Sequence, residues 1–291
     1  MTTSPHLPEV ASFWHGSSLS WIEQLCLRSF LDRGHRVTLY AAEPVGAVPE
    51  GVALRHPADI LWPPPFPIAA RDRMAAAIFS DIFRLELLAR TDAVWVDLDA
   101  YCVRPLDFPS GWIFCATEDG SYPTGILRLP RWSAVLAQMR RFVTATDPSP
   151  PWRGRRGRAE DAARRDRGET WSIRDLPWGS SGPRALKHFM SRSAENRHAL
   201  PSEALYGVTS ADLRQLHDPA LRPEQIERAG VHSVHIYGRQ KKWLLKRNGG
   251  LPVPNSYLDR LCRRHGVDPA AAPIPPLDWM KGPAETAESA A

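Results

Sequence analysis

The amino-acid sequence predicts an α/β fold with a mostly parallel central sheet flanked by helices. Short apolar runs typical of buried strands alternate with segments of helical periodicity along the first half of the chain. The composition, 43% hydrophobic and 24% charged over 291 residues, is typical of a globular protein. We expect one domain over residues 1–267. A loosely ordered tail should follow over 268–291, because its Ala, Pro and Glu content offers little to bury.

The predicted strands are short and rich in Val, Ile, Leu and aromatic residues, whereas the predicted helices place apolar residues on one face. In chain order the strands are EVASFW (9–14), RVTLYAAE (36–43), ALRHPADILW (53–62), VWVDLDAYCV (94–103), WIFCATE (112–118), GILRLP (125–130) and VHSVHIY (231–237). The helices are SLSWIEQLCLRSFLDRGH (18–35), ARDRMAAAIFSDIFRLELLAR (70–90), PRWSAVLAQMRRFVTA (130–145), GPRALKHFMSRSA (182–194) and NSYLDRLCRRHG (255–266). Strand, helix, strand is the order that generates parallel sheets.

The net charge of +5 comes mainly from arginine, and seven arginines lie between residues 153 and 167. We predict a mobile, solvated Arg-rich loop over 153–169, since acidic residues are interspersed and apolar residues are few. A contact for a phosphate-bearing acceptor or an anionic membrane surface is the alternative. No nucleic-acid partner is expected, because the run has neither interleaved aromatic residues nor a nucleic-acid-binding motif.

The four cysteines lack CxxC spacing, which argues against a zinc ribbon and a disulfide scaffold. The sequence has no apolar run of about 18 residues and no visible secretory signal. These features predict a cytoplasmic protein, with peripheral contact to the inner face of the membrane left open.

Two carboxylates, Asp97 and Asp99, end the buried run VWVDLDAYCV. Ligands of open α/β sheets bind beyond the carboxyl ends of strands, and a spacing of two on an extended segment places both acids on one side. Two such acids are unfavourable together unless a cation compensates them. A hard divalent cation, Mn²⁺ or Mg²⁺, with phosphate oxygens in its remaining positions, fits this pattern.

Haloacid-dehalogenase phosphatases also place an Asp-x-Asp pair after an apolar strand. Their fifth position is Thr or Val, whereas here it is Tyr101, and the downstream Gly-Asp or Asp-Asp pair that they need is missing from this sequence. The longer block SDIFRLELLARTDAVWVDLDAYCVRPLD resembles the Ser-Asp-x-x-Arg…Asp-x-Asp block of the DXD sugar-binding-region glycosyltransferases. That family includes capsule and glycolipid sugar transferases, α-1,4-galactosyltransferases, fungal mannosyltransferases and glucosylating toxins. It usually has Gly-Gly before the strand, where this chain has residues 91–93, Thr-Asp-Ala.

Four further stretches resemble the same family: FWHG (13–16), GILRLPRWSAVL (125–136), WGSSGPRAL (178–186) and VHIY (234–237). The resemblance implies a GT-A-like, Rossmann-like nucleotide-sugar-binding domain. It implies metal ligands, catalytic contacts to the sugar, and further substrate contacts. The implied metal ligands are Asp99, Asp97 and His235, the implied catalytic residues are Asp81, Arg84 and Asp97, and the implied substrate-binding residues are Trp14, Asp81, Arg84, Asp97, Lys242 and Trp243.

Within this resemblance, Trp14 stacks on the base, Asp81 and Arg84 hold sugar hydroxyls, and Lys241, Lys242 and Trp243 close over the leaving diphosphate. GILRLPRWSAVL lines the acceptor side. His232, three residues before His235, is the competing candidate for the histidine ligand.

The predicted function is a metal-dependent transfer of a hexose from a nucleotide-diphosphate sugar, UDP-linked by family resemblance, to a hydroxyl acceptor. The acceptor would be a saccharide, a lipid-linked glycan or a protein, in polysaccharide or glycolipid biosynthesis. The family retains anomeric configuration, and without a visible enzyme nucleophile the leaving phosphate would serve as base. Alternatives are an inactive GT-A-like sugar- or nucleotide-binding protein and a haloacid-dehalogenase-like phosphatase.

Overall fold

The computed structural model describes residues 7–69 and 72–275. Its strands are β1 (Val10–Phe13), β2 (Val37–Tyr40), β3 (Val52–Arg55), β4 (Val94–Val96), β5 (Ala100–Cys102), β6 (Cys115–Ala116), β7 (Ile126–Leu127), β8 (Leu200–Pro201) and β9 (Ser233–His235). Its helices are α1 (Trp21–Asp32), α2 (Arg73–Arg90), α3 (Ala134–Val143), α4 (Gly154–Asp166), α5 (Pro183–Met190), α6 (Ser202–Leu205), α7 (Pro223–Ile226), α8 (Arg239–Asn248) and α9 (Tyr257–His265).

The central sheet has five strands in the order β3-β2-β1-β4-β7. β1 pairs in parallel with β2 and β4, β2 pairs in parallel with β3, and β7 is antiparallel to β4. The predicted α/β class with a mostly parallel central sheet flanked by helices is therefore confirmed. Two smaller pairs stand outside this sheet: β5 with β9, antiparallel, and β6 with β8, parallel.

Continuous burial of β1, β2 and β4 explains why these strands have no polar alternation. α1 starts with a capping box in which Ser20 and Glu23 satisfy each other's backbone groups. α2 starts where the Asp72 side chain accepts a hydrogen bond from the amide of Ala75. Two well-defined helix starts thus fix the elements that follow β1 and precede β4.

Two large apolar clusters flank the site region. One packs α2, α3 and α5 against the sheet around Phe79, Phe83 and Trp95. The other, which we call the α1–α9 core, surrounds Trp21 and Tyr257 and includes Tyr101 of β5 and Val234 of β9. Tyr101 of β5 and Val234 of β9 thus contribute to this core, whereas Ala100 and Cys102 of β5 pack with Val94 and Val96 of β4 in a third cluster.

The predicted strand 94–103 is divided by a turn. β4 ends at Val96, the carbonyl of Asp97 accepts a hydrogen bond from the amide of Ala100, and β5 starts at Ala100. The two acids therefore lie on a turn and not on one extended strand. A two-residue spacing cannot distinguish these cases, because the apolar residues continue on both sides of the turn.

The segment 153–169, predicted to be a mobile loop, contains the helix α4. Asp161 is fully buried and accepts hydrogen bonds from Ser149 and Arg153, while Arg164 lies 4.2 Å over the ring of Trp171. Composition concealed this helix, since one buried acid and the cation–π contacts of Arg164 and Arg165 with Trp171 replace an apolar face.

The start of the predicted loose tail packs against the α1–α9 core. Ile274 is 2% exposed, and the carbonyl of Ala272 accepts a hydrogen bond from the amide of Trp21. Residues 276–291 of the predicted tail lie outside the described residues. None of the described helices is both long and apolar enough to cross a membrane.

Candidate active site

A cavity of about 1360 Å³ opens at the carboxyl end of β4 and is lined by residues from distant parts of the sequence. Asp97 and Asp99 line it from the turn after β4, and Asp81 and Arg84 line it from α2. His235 lines it from the end of β9. The position agrees with the general rule that α/β sheets bind ligands beyond the carboxyl ends of their strands.

Three side chains in this cavity could hold a metal ion. Asp97, Asp99 and His235 each offer one ligand atom, and these atoms lie within 4.8 Å of one another. The Nε2 atom of His235 lies 3.1 Å from Oδ1 of Asp99. Two carboxylate oxygens and one imidazole nitrogen suit Mn²⁺ or Mg²⁺ with open positions for further oxygens.

Arg84 connects the candidate metal ligands to Asp81. Its guanidinium donates to Oδ1 of Asp81 at 3.0 Å and to Oδ1 of Asp97 at 2.8 Å. The same Asp97 oxygen accepts a hydrogen bond from the indole of Trp95 at 2.7 Å, and Arg84 itself is buried. A fixed cation between two acids holds both carboxylates in place at the cavity wall.

Asp81 is held from the opposite side by the segment before α5. The Ser181 hydroxyl donates to Oδ2 of Asp81 at 2.6 Å. A Cβ atom at Gly182 would lie 2.8 Å from both Asp81 oxygens, so only glycine allows the backbone to approach so closely. Burial raises the pKa of Asp81, although Arg84 and Ser181 act in the opposite direction.

Asp99 and His235 form a charge-matched pair. Burial opposes ionisation of both groups, but their mutual attraction prevails: the pKa of the Asp99 carboxyl is lowered and the pKa of His235 is raised. The Nδ1 atom of His235 is buried and has no hydrogen-bond partner among the described residues. The imidazole is therefore held through Nε2, the atom that faces Asp99.

Gly125 and Tyr206 shape the space around His235. The Tyr206 hydroxyl accepts a hydrogen bond from the amide of Gly125 at 3.1 Å. A Cβ atom at Gly125 would lie 2.5 Å from Cε1 of His235, which is closer than van der Waals contact allows. The amide of Asp97 in turn donates to the Gly125 carbonyl at 2.6 Å, so one glycine joins Asp97 and His235.

Trp14 lies in the same cavity near a buried ion pair. Lys241 forms an ion pair with Glu23, and its ammonium group lies 5.9 Å from the centre of the Trp14 ring. The attraction of Lys241 also contributes to the lowered pKa of Asp99, after the larger effect of His235. The contacts thus place Trp14 and Lys241 on the Asp99 side of the cavity.

The predicted site residues Trp14, Asp81, Arg84, Asp97, Asp99 and His235 all line the cavity, whereas Lys242 and Trp243 do not. Lys242 is exposed, and the ring of Trp243 stacks on His217 with centroids 4.1 Å apart. Lys241 is the residue of that basic segment that lines the cavity.

The cavity lining also bears on the predictions for His232 and for the segment 125–136. The competing histidine, His232, contacts the carbonyl of Pro105 at 2.7 Å and lies outside the cavity lining. Of the segment 125–136, predicted to line the acceptor side, only Gly125 lines the described cavity.

Sequence reasoning missed four side chains that support the site: Glu23, Trp95, Ser181 and Tyr206. Trp95 and Tyr206 stand in apolar surroundings and are indistinguishable from core aromatic residues in the sequence. Ser181 lies in the stretch WGSSGPRAL that the resemblance singled out, but its contact with Asp81 spans 100 positions. No local signal marks such a pairing.

No family model matches the chain, and no curated protein matches it. Among solved structures the chain is similar to one named PaToxG Glycosyltransferase, with 12% identity and a TM-score of 0.41. The match covers 66% of this chain and 72% of that chain.

Proposed function

We propose that the protein is a metal-dependent glycosyltransferase that moves a hexose from a nucleotide-diphosphate sugar, UDP-linked by preference, to a hydroxyl acceptor. The observation that carries the proposal is that one cavity contains both a candidate metal site and a candidate sugar-binding network. The Asp97–Asp99–His235 cluster is suited to a divalent cation, and the Asp81–Arg84–Asp97 network is suited to a polyhydroxyl ligand. The SDxxR and DxD sequence blocks that resemble the DXD family supply Asp81, Arg84, Asp97 and Asp99, and the stretch VHIY supplies His235.

The donor set fits Mn²⁺ or Mg²⁺, because the described ligands are mostly carboxylate and the cluster faces an open cavity. When bound, the cation would neutralise charge on the leaving diphosphate as a Lewis acid. Asp99 and His235 would hold it directly. Asp97 would share its carboxylate between the cation and the guanidinium of Arg84, which orients that carboxylate.

Asp81 and Arg84 would hold the hydroxyls of the transferred sugar. A carboxylate accepts hydrogen bonds from hydroxyls, and the guanidinium provides donors in a fixed plane. Both side chains are already fixed by Ser181 and Asp97, so little conformational freedom is lost when the sugar binds. Fixed positioning of this kind can account for a large part of a rate enhancement.

No candidate nucleophile stands out in the sequence, and the acids of the two networks, Asp81, Asp97 and Asp99, are engaged by Arg84, Ser181 or His235. We therefore propose retention by internal return, in which the leaving phosphate takes the proton of the attacking hydroxyl. Trp14 would stack on the base, and Lys241 would reach the diphosphate from the same side of the cavity.

The test is release of nucleoside diphosphate from UDP-glucose, UDP-galactose, UDP-N-acetylglucosamine and GDP-mannose, each with Mn²⁺, with Mg²⁺ and with EDTA. We expect slow, metal-dependent hydrolysis of at least one donor and loss of it in Asp99→Asn. Asp166→Asn, an exposed acid on α4, is the control and should behave as wild type.

The same assay separates the alternatives. Donor binding without release in every condition would support an inactive binding protein and contradict the proposal. Release of inorganic phosphate from p-nitrophenyl phosphate, without hydrolysis of any nucleotide-sugar, would support a phosphatase.

A further inference from the structure

Trp178 is a large apolar side chain that is exposed and yet lines the candidate active-site cavity. Its exposed fraction is 63%, and it belongs to the cavity wall together with Gly179 and Ser181. The other exposed large apolar side chains of the described chain, such as Trp132 at 74%, are not part of this wall. Isolated exposed apolar residues on a convex surface are ordinary, but an uncovered indole in a concave site is typical of ligand pockets.

The backbone that carries Trp178 is firmly anchored. Ser180 and Ser181 are 2% and 3% exposed, and the amide of Ser180 donates to the carbonyl of Pro177 at 3.1 Å. The carbonyl of Gly179 accepts from the amide of Arg184 in α5 at 3.0 Å, and Gly179 has a φ of +79° that favours glycine. The backbone that carries the indole is therefore an ordered, hydrogen-bonded turn.

The contacts within the cavity give an order to its parts. Trp14 and Lys241 lie together, with the ammonium group 5.9 Å from the centre of the indole ring, and Asp99 pairs with His235. A series of hydrogen bonds runs from Asp97 through Arg84 to Asp81 and then to Ser181, three residues after Trp178. Trp178 thus belongs to the segment that holds Asp81, whereas Trp14 follows β1 and lies beside Lys241.

These contacts give a position in the cavity to each part of the donor and to the acceptor. If the base lies on Trp14, the diphosphate lies at the metal cluster and the transferred sugar lies at Asp81. The next position in the series, beyond the transferred sugar, is the one that an attacking acceptor must occupy. Trp178 lines the cavity three residues before Ser181, which holds Asp81, and is therefore the candidate for this position.

Polar side chains accompany Trp178 at this end of the cavity. Thr117, Glu118 and Ser121 line the wall, and the ammonium group of Lys187 in α5 lies 3.4 Å from the carbonyl of Asp119. The turn that carries these polar groups therefore adjoins the helix that follows Trp178. A flat apolar face beside hydroxyl-binding groups matches a pyranose ring, which has apolar C–H faces and a polar edge.

We infer that Trp178 is the acceptor platform, and that the acceptor presents a pyranose ring that stacks on its indole. This inference rests on the proposed glycosyltransferase function and specifies its acceptor as a saccharide, free or at the end of a larger glycan. The acceptor hydroxyl would attack the anomeric carbon while the sugar–phosphate bond breaks. Its proton would pass to the leaving diphosphate.

The test compares cyclic acceptors with an acyclic one. Methyl glucoside, methyl galactoside and methyl mannoside, each as both anomers, are offered with the donor found above, beside sorbitol, which has hydroxyls but no ring face. Wild type should transfer to at least one methyl pyranoside and not detectably to sorbitol. Trp178→Ala should lower kcat/KM for that pyranoside between about 10-fold and 100-fold, mainly through KM.

Donor hydrolysis provides the internal reference, because a water molecule that attacks the donor needs no indole to stack on. Trp178→Ala should hydrolyse the donor and bind the nucleoside diphosphate as wild type does, and Trp178→Phe should recover part of the transfer. Trp132→Ala, which removes an equally exposed indole outside the cavity, should change neither reaction.

Each contrary outcome has a distinct meaning. Unchanged pyranoside transfer in Trp178→Ala, or equal losses of hydrolysis and transfer, would overturn the acceptor role. Donor hydrolysis in wild type without transfer to any pyranoside would overturn the inference and leave the proposed function standing. The absence of donor hydrolysis in wild type would overturn the proposed function itself.

Discussion

Arg84 is the residue on which the geometry of the site most depends. It is 5% exposed, lies between two acids and packs its guanidinium 4.7 Å from the centre of the Trp95 ring. Removing it would leave Asp81 and Asp97 without their shared cation, whereas removing Asp81 would leave the Arg84–Asp97 pair intact. The two partners of this ion pair should therefore give different phenotypes.

We predict that Asp81→Asn binds UDP and Mn²⁺ nearly as wild type does, but transfers sugar about 100-fold more slowly, because the sugar is no longer held in line. Calorimetry and turnover, measured on the same preparation, check this prediction. Asp92→Asn, an exposed acid that pairs with Arg131, is the control. Parallel losses of UDP affinity and turnover would instead assign Asp81 a general structural role.

Arg84→Ala should be more severe than Asp81→Asn. Loss of a buried cation between two acids should lower the free energy of unfolding by about 3 kcal/mol. The same change should weaken Mn²⁺ binding, because Asp97 loses the group that orients it. Denaturant unfolding and metal titration are the measurements, and wild-type stability in Arg84→Ala would show that the guanidinium contributes no net support.

Gly125 provides a residue-scale test of the histidine ligand. Gly125→Ala would place a methyl group 2.5 Å from Cε1 of His235, so the imidazole must move. We predict a folded protein with clearly weaker Mn²⁺ affinity. Gly46→Ala, where the added carbon would meet nothing closer than 3.5 Å, should keep wild-type affinity. Equal Mn²⁺ affinities in the two variants would exclude His235 as a tightly held ligand.

At the scale of single residues, the sequence identified the candidate site residues that fall within one local motif. Asp81, Arg84, Asp97 and Asp99 fall within one 19-residue stretch, and the structure gathers them in one cavity with His235. Trp95 and Tyr206 could not be predicted, since a buried aromatic residue has the same sequence pattern whether or not its polar atom serves a site. The lid role of Lys242 and Trp243 stays a prediction, and of the three α8 residues 241–243 it is Lys241 that lines the cavity.

Among the elements, α4 differs most from its prediction. Its arginines indicated a solvated loop, yet Asp161 is buried beneath the helix and joins Ser149 and Arg153. Sequence patterns identify amphipathic helices by apolar spacing, and α4 has only Ala and Gly among its uncharged residues. Its attachment depends on long-range polar contacts that no window of sequence reveals.

We predict that Asp161→Asn lowers the free energy of unfolding by about 1–3 kcal/mol, because it removes the charge from a fully buried acceptor of two hydrogen bonds. Asp166→Asn, exposed on the same helix, should change stability little. Chemical denaturation of the three proteins provides the comparison. Identical midpoints for the two variants would mean that the Asp161 contacts add nothing to the attachment of α4.

The strand predictions were accurate in position and too generous in length. WIFCATE contributes only Cys115–Ala116 and GILRLP only Ile126–Leu127. Beyond these strands, Ile113 and Arg128 form only an isolated antiparallel bridge, and neighbouring apolar residues such as Phe114 and Leu129 pack in the core. The periodicity and hydropathy of a sequence indicate which segments are buried. Strand pairing, in contrast, depends on neighbouring strands that are distant in sequence.

For the whole molecule, the segment that ends the described chain contributes to the fold. Ile274 fills a position in the α1–α9 core, and Trp21 at the start of α1 hydrogen bonds to Ala272 and, through its indole, to Gly250. The beginning and the end of the described chain are therefore packed together. A composition rich in Ala and Pro concealed this contact, because a single buried side chain carries it.

We predict that Ile274→Ala lowers the free energy of unfolding by about 2–5 kcal/mol, as expected for a large-to-small change in a packed core. Leu251→Ala, at a position 37% exposed, is the matched control and should cost much less. Thermal or denaturant unfolding checks the difference. Equal stabilities of the two variants would mean that the segment rests on the core without being held by it.

The turn between β4 and β5 has a mechanical consequence for the whole molecule. Asp97 directly follows β4 of the central sheet, whereas Asp99 directly precedes β5 and His235 ends β9, so the last two adjoin the β5–β9 ribbon. Any cation held by all three side chains would link the end of β4 to this ribbon, in addition to the turn and the apolar packing that already connect them. Local opening of the ribbon would then require release of the cation. Amide hydrogen exchange in residues 100–102 and 233–235 should slow when Mn²⁺ and UDP are added, while exchange in β2 and β3 should not. The bound metal would thus limit how far the β5–β9 ribbon can move away from the end of β4. The same movement would then limit the rate at which the nucleoside diphosphate leaves the cavity.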